Sequence, residues 1–155
     1  MDQIQVDETL MRIALEQAKE AAALDEVPIG AVIVRDGEVI ARAHNLKEKT
    51  DDVTGHAELI AIRQASQKIG SWRLQDCDLY VTLEPCMMCA GAMIQSRIRR
   101  LIIGAKDPKS GMAGSVSNLF LLPANHKVEI TADVLADECG RLLSVFFRRK
   151  RQEGE

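Results

Sequence analysis

Aromatic side chains are almost missing from this chain of 155 residues: one Trp, one Tyr and three Phe make up 3% of it. A core of this size therefore has to be built from Ala, Val, Ile, Leu and Met. Long apolar runs are missing too, and none approaches the roughly 18 residues that a membrane-spanning helix needs. The opening stretch, MDQIQVDETL, carries acids where a secretory signal carries basic residues, and no long apolar segment follows. A cytoplasmic protein without a membrane partner is expected. Cysteine is scarce, at four. In the cytosol a close cysteine pair points to a metal or to catalysis more than to a structural bridge. Repeats, linkers and low-complexity tracts are absent. The length fits one domain, 1–155, with a core of its own.

The net charge of −3 and the pI of about 5.7 argue, as sums, against a nucleic-acid partner. The distribution argues the other way. Basic residues cluster at Arg97, Arg99 and Arg100, and again at Arg148, Arg149, Lys150 and Arg151. The acids gather in the first half and around Asp133 to Glu138.

Hydrophobic spacing predicts a first helix over DETLMRIALEQAKEAAAL, capped by Asp7, with Leu10, Ile13, Ala14, Ala18, Ala21 and Ala22 on one face. VPIGAVIV and EVIARA flank Arg35-Asp36-Gly37, a hairpin signal. HNLKEKTDDVTG reads as a polar loop. A helix follows from about His56 to Lys68. DLYVTLE then reads as a strand, CMMCAGAMIQS as a helix and RRLIIGA as a strand. KDPKSGMAGSVSN reads as a loop and HKVEIT as a short strand. A last helix spans DVLADECGRLLSVFFRRKRQ, with Leu135, Cys139, Leu142 and Phe146 on one face. After the hairpin, strands and helices alternate. This predicts an α/β layered domain: a sheet with some parallel strands and helices on both faces. Ligands in such sheets bind beyond the carboxyl ends of the strands, and LYVTLE running into PCMMC is such a junction.

That junction carries the chemistry. Pro85 suits a first helical turn, and Cys86 and Cys89 follow one turn apart, near the positive end of the helix dipole. This arrangement suits two zinc thiolates, and zinc normally wants four ligands. His56 and Glu58, in HAE, stand at another helix start and can face the same centre. Two cysteines and one histidine leave a fourth position for water, the mark of a catalytic zinc site. Glu58 is then the group that takes and delivers protons.

Plainer readings stand beside this one. The two cysteines can be small buried hydrophobes, His56 a satisfied core histidine, and Glu58 an acid complementing the helix dipole. The conjunction favours the metal. Cys77 and Cys139 read as buried structural thiols. Glu84 is either a group supporting the site or an ordinary loop carboxylate. The basic run at Arg148 can be a solvated helix end. Beside it, one of Phe146 and Phe147 is a candidate for stacking on a base.

HAE and PCMMC together form H-x-E…P-C-x-x-C, the established signature of zinc-dependent cytidine and nucleobase deaminases. Within that superfamily the chain closely resembles the bacterial tRNA-specific adenosine deaminases. The resemblance rests on VPIGAV, His44-Asn45, LYVTLEPCMMCAGAMIQSRI, GAKDPKSGMAGS, NHKVEIT and LLSVFFRRKRQE, which span nearly the whole chain. One departure is Gly55, where the family has Ala before the histidine. It is expected to alter the backbone and not the chemistry.

The resemblance implies a cytidine-deaminase-like α/β/α fold with a mixed central sheet, a homodimer and one zinc ion per chain. It implies deamination of adenosine to inosine at the wobble position of a tRNA anticodon, typically an arginine tRNA. His56, Cys86 and Cys89 are then the metal ligands and Glu58 the proton shuttle. It further implies contacts to the flipped base or its ribose from Asn45, and to the RNA from Asp107, Phe147 and Arg149. Two rivals remain at this point. One is a deaminase of free guanine, cytosine or nucleosides. The other is a non-catalytic zinc module closed by a fourth ligand from Cys77, Cys139, His44 or His126.

Overall fold

A computed structural model describes residues 1–154. The first helix, α1, spans Gln3–Ala23. Its cap is Asp2 and not Asp7. The Asp2 carboxylate accepts the Gln5 N–H at 2.8 Å, and the Gln5 side chain accepts the Asp2 N–H at 3.0 Å. This reciprocal pair satisfies two otherwise free N–H groups. Asp7 lies a turn further in, buried, and is used elsewhere. The buried face of α1 is Met11, Ala14, Leu15, Ala18 and Ala21, close to the expected stripe.

The hairpin forms as expected. Strands β1 (Gly30–Arg35) and β2 (Glu38–His44) pair antiparallel around Asp36 and Gly37, whose φ values of 52° and 76° fit the favoured two-residue turn. At Gly30, α1 crosses β1 so closely that a Cβ would sit 2.6 Å from the Ala18 nitrogen. The polar loop after β2 contains a one-turn helix, α2 (Lys47–Thr50), that apolar spacing could not reveal because none of its residues is buried.

Then come α3 (Ala57–Ile69), β3 (Cys77–Leu83), α4 (Met87–Gln95) and β4 (Arg100–Ala105). A single 3-10 turn spans Leu119–Leu121. Strand β5 is Glu129–Thr131, and α5 is Ala136–Glu153. Strand β5 is shorter than HKVEIT, because His126 turns its Nε2 to the Ile98 carbonyl at 2.6 Å before the ladder starts. No helix among the described residues is long and apolar enough to cross a membrane.

The sheet order is β2-β1-β3-β4-β5, with β1 antiparallel to both neighbours and β3, β4 and β5 parallel. Helices cover both faces. Met11, Leu15, Val32, Tyr80, Ile102 and Cys139 pack between the sheet and helices α1 and α5. On the other face α3 and α4 pack on Ile33, Leu79, Val81, Leu101 and Ile103. Small residues dominate the α3 contact, where Ala57, Ala61 and Ala65 are fully buried, so that helix sits low on the sheet. The fold is the mixed, helix-flanked sheet that the sequence predicts. Strands β3 and β4 both end at one rim, beside the start of β1 and the end of β2. The starts of α3 and α4 face that rim.

Candidate active site

His56 is the N-cap residue of α3, and Cys86 is the N-cap residue of α4; both have extended backbone. Pro85 therefore stands just outside α4 and not in its first turn. Cys89 lies in that first turn. Two helix N-termini thus converge, and their partial positive charge favours thiolates. The His56 Nδ1 lies 3.7 Å from the Cys86 sulfur and 3.5 Å from the Cys89 sulfur. The three donor atoms all lie within 4.8 Å of one another. Tetrahedral zinc bonds of about 2.05 Å to nitrogen and about 2.3 Å to sulfur place such donors about 3.6 Å apart. The donor set fits zinc in type and in spacing.

Without a cation the three groups are linked by hydrogen bonds. The hydrogen bond from Cys89, aided by His56, pulls the Cys86 thiol down to about 3. Cys89 is pushed up, because Cys86 takes its proton in a hydrogen bond and because it is buried. His56 is raised by its bond to Cys86. The Cys86 thiolate is thus hydrogen-bonded by both Cys89 and His56.

Glu58 follows in the first turn of α3 and is only 4% exposed. Burial pushes its carboxyl up to about 7, against the pull of His56. Its immediate neighbour is Cys89. A carboxyl with that pKa can hold or release a proton near neutrality.

The four candidate closing ligands are elsewhere. Cys77 starts β3 at the far rim, beside Asp76. Cys139 packs behind Gly104 in the other layer. His44 Nδ1 lies 3.0 Å from the Asn45 carbonyl, and His126 is held by Ile98. Among the described residues, none of the four joins the cluster.

A cleft of about 1000 Å³ opens over His56. Asn45 and Lys47 form one wall, Lys106 to Ser110 a second, and α5 a third through Gly140, Ser144, Phe147, Arg148 and Arg151. Lys47, Lys106, Lys109, Arg148, Lys150 and Arg151 line it against one acid, Asp107. The chain is acidic overall, yet this surface is basic.

The expected contact residues fare differently. Asn45 lines the cleft, but its Oδ1 accepts the Ala57 N–H at 2.9 Å. It gives α3 the cap that His56 does not provide, which fixes His56 and leaves the amide NH2 for the cleft. Asp107 also lines the cleft, and its carboxylate shapes its own loop by accepting the Lys109 and Ser110 N–H groups at 3.0 and 3.2 Å. Phe147 is 45% exposed in the cleft, edge-on to buried Phe146. Arg149 does not line the cleft. Its guanidinium pairs with Asp25 at 3.2 Å and lies over the Phe146 ring. Helical spacing explains this: 140, 144, 147, 148 and 151 share a face, and 149 points away from it.

One buried acid, Glu26, escapes the sequence reading, and a second, Glu84, is left open there between a supporting group and an ordinary loop carboxylate. Glu26 accepts the N–H groups of Glu48 and Lys49 at 3.1 and 2.6 Å and so holds α2. No periodicity marks it. Glu84 is 4% exposed; burial opposes its charge, but bonds from Ser115, Asp107 and Ala113 bring its carboxyl below the usual range. Its position before Pro85 was the only signal. At Gly55 a Cβ would stand 3.0 Å from the Lys47 and Asp52 backbones, so an alanine there needs α2 to shift. The glycine therefore has a steric role beyond backbone freedom.

The sequence model of the MafB19-like deaminase family matches residues 5–151. The tRNA-specific adenosine deaminase of Bacillus subtilis is 49% identical over 148 residues, covering 95% of this chain and 92% of the relative. A solved structure from a study of A-to-I editing by tRNA:A34 deaminases superposes with a TM-score of 0.85 at 46% identity, over 87% of this chain and 99% of that one. A solved guanine deaminase from Nitrosomonas europaea is more distant, with a TM-score of 0.76 at 25% identity over 90% of this chain and 83% of that one. The chain belongs to the MafB19-like deaminases and, among them, to the tRNA-specific adenosine deaminase family.

Proposed function

We propose that this chain hydrolyses adenosine to inosine at the wobble position of a tRNA anticodon, releasing ammonia. The observation that carries this reading is Glu58: a buried carboxyl beside a His–Cys–Cys donor set whose histidine lines a basic cleft. The cleft lies at the upper end of small-molecule pockets, about 300–1,000 Å³. It has room and charge for a nucleotide with its neighbours, and a single free base uses neither.

His56, Cys86 and Cys89 would hold one zinc ion. Zinc in such a ligand set acidifies water and polarises the group that water attacks. Glu58 takes a proton from the attacking water and passes it to ring N1, then takes the proton of the new C6 hydroxyl and passes it to the amine, so that ammonia leaves as the C6 carbonyl forms. Its elevated pKa suits both directions. Asn45 offers its amide NH2 to the base or ribose. Phe147 offers a ring for stacking, and Asp107 the tip of the second wall. Arg149 acts from behind, tethering α5 to Asp25. A target base has to leave its stack to reach the floor, which an anticodon loop permits more readily than a duplex. On this reading the substrate is an arginine tRNA, the protein works in the cytoplasm, and a homodimer is the working form.

The test is deamination by purified, zinc-loaded protein. An arginine tRNA anticodon stem-loop with a wobble adenosine is compared with free adenosine, cytosine and guanine. Inosine in the stem-loop alone is expected. Turnover of a free base alone would overturn the RNA reading and keep the chemistry.

A further inference from the structure

Glu84 has no part in the chemistry above, yet it is the most heavily bonded carboxylate near the cleft. It sits between Leu83, the last residue of β3, and the Pro85-Cys86 turn. Its Oε1 accepts the Asp107 N–H at 3.1 Å and the Ser115 hydroxyl. Its Oε2 accepts the N–H groups of Ala113 and Ser115 at 2.8 and 3.1 Å. The loop is folded around it. At Gly111 a Cβ would stand 2.5 Å from the Glu84 Oε2, so only glycine lets the loop close on the carboxylate. The backbone adds a seam, with the Met112 N–H donating to the Pro85 carbonyl at 2.9 Å.

This loop faces two ways. Inward it wraps Glu84; outward, through Lys106 to Ser110, it forms the second wall of the cleft. No lysine or arginine among the described residues pairs with Glu84. Its negative charge is held by backbone N–H groups, as in an anion nest. A charge buried this way fixes the loop backbone in direction and not only in distance.

We infer that Glu84 is a positioning residue for the substrate: its carboxylate registers the 107–115 loop, and with it the Lys106–Ser110 wall, against the turn that carries Cys86. The inference rests on the cleft being the substrate site. A wall displaced by a fraction of an ångström weakens binding without touching the donor set or Glu58.

Glu84→Gln replaces one acceptor oxygen with an NH2 that faces N–H donors. The expected result is a KM for the stem-loop raised about ten-fold, with kcat within about two-fold and one zinc per chain retained. Amide hydrogen exchange at Asp107, Ala113 and Ser115 should quicken with or without RNA. Gly111→Ala keeps the carboxyl group but drives a methyl against it and the Asp107 carbonyl, so it should show the same split. It decides the matter if Glu84→Gln does not fold. A fall in kcat and zinc content at unchanged KM would overturn the proposal and assign Glu84 to the metal turn. Unchanged KM in both variants, with wild-type turnover of the stem-loop intact, would also overturn it. Wild-type failure on the stem-loop would instead overturn the function beneath it, while the exchange rates still report whether Glu84 holds the loop.

Discussion

Two carboxylates are buried at opposite rims of the sheet, and their surroundings treat them in opposite ways. Glu58, under α3, has a thiol neighbour and no lysine or arginine, and its carboxyl rises to about 7. Asp7, on α1, is equally buried. Burial raises it too, but Arg100 at 2.9 Å and the Tyr80 hydroxyl at 2.6 Å outweigh that, and its carboxyl falls below 3.8. Arg100 also reaches the Thr131 hydroxyl and Asp78, so the charge at that rim is shared across α1, β3, β4 and β5. A buried acid with a cation is a rivet. The same acid without one is a proton store. The fold spends its partners on the rim away from the chemistry.

The contrast is broken most sharply by removing each charge in turn. Glu58→Gln is expected to lower stem-loop deamination by at least about 10³-fold while zinc content and thermal stability hold. Asp7→Asn should do the reverse, costing about 3–5 kcal/mol in a urea titration and leaving kcat of the folded fraction intact. If Glu58→Gln lost its zinc, the role given to Glu58 would be wrong.

Next in size is pH. The Asp7 carboxyl is lowered in the fold, so its contribution is complete above its ordinary 3.8 and is lost as pH falls through the folded value. Glu58 is raised, so in metal-free protein its charge costs stability as pH climbs from 4.5 to about 7, and the cost then levels off. Urea midpoints against pH should show an acid limb that Asp7→Asn removes and a neutral slope that Glu58→Gln removes. Tyr80→Phe is a gentler probe, because Arg100 still holds Asp7; about 2 kcal/mol is expected by the same titration.

The smallest effect sharpens the picture at the surface. Arg148→Ala should weaken stem-loop binding and reduce the slope of log K against log salt by about 0.7. Arg149→Ala, on the far side of α5, should leave that slope nearly unchanged.

The chemistry was legible because it is local. HAE and PCMMC each fix their side chains through a single helix start, so spacing alone predicted the cluster. Strand and helix order was legible from periodicity for the same reason. What escaped depends on distant partners. Asp7 looked like a cap because an acid before an apolar stripe often is one; its true partners, Tyr80 and Arg100, are 73 and 93 residues away. Glu84 stayed undecided between a supporting group and an ordinary carboxylate, since its partners are mostly backbone N–H groups that every loop has. Arg149 was one of four adjacent cations, and only the helix phase relative to the sheet separates it from Arg148.

The two edge strands have a consequence for how copies of this chain meet. Strand β5 offers only three residues, and on β2 the Arg42 N–H is already taken by the Gln64 side chain at 3.2 Å. Neither edge is a long, free ladder onto which another strand could zip. Crowded copies are thereby steered away from fibrous, strand-on-strand stacking.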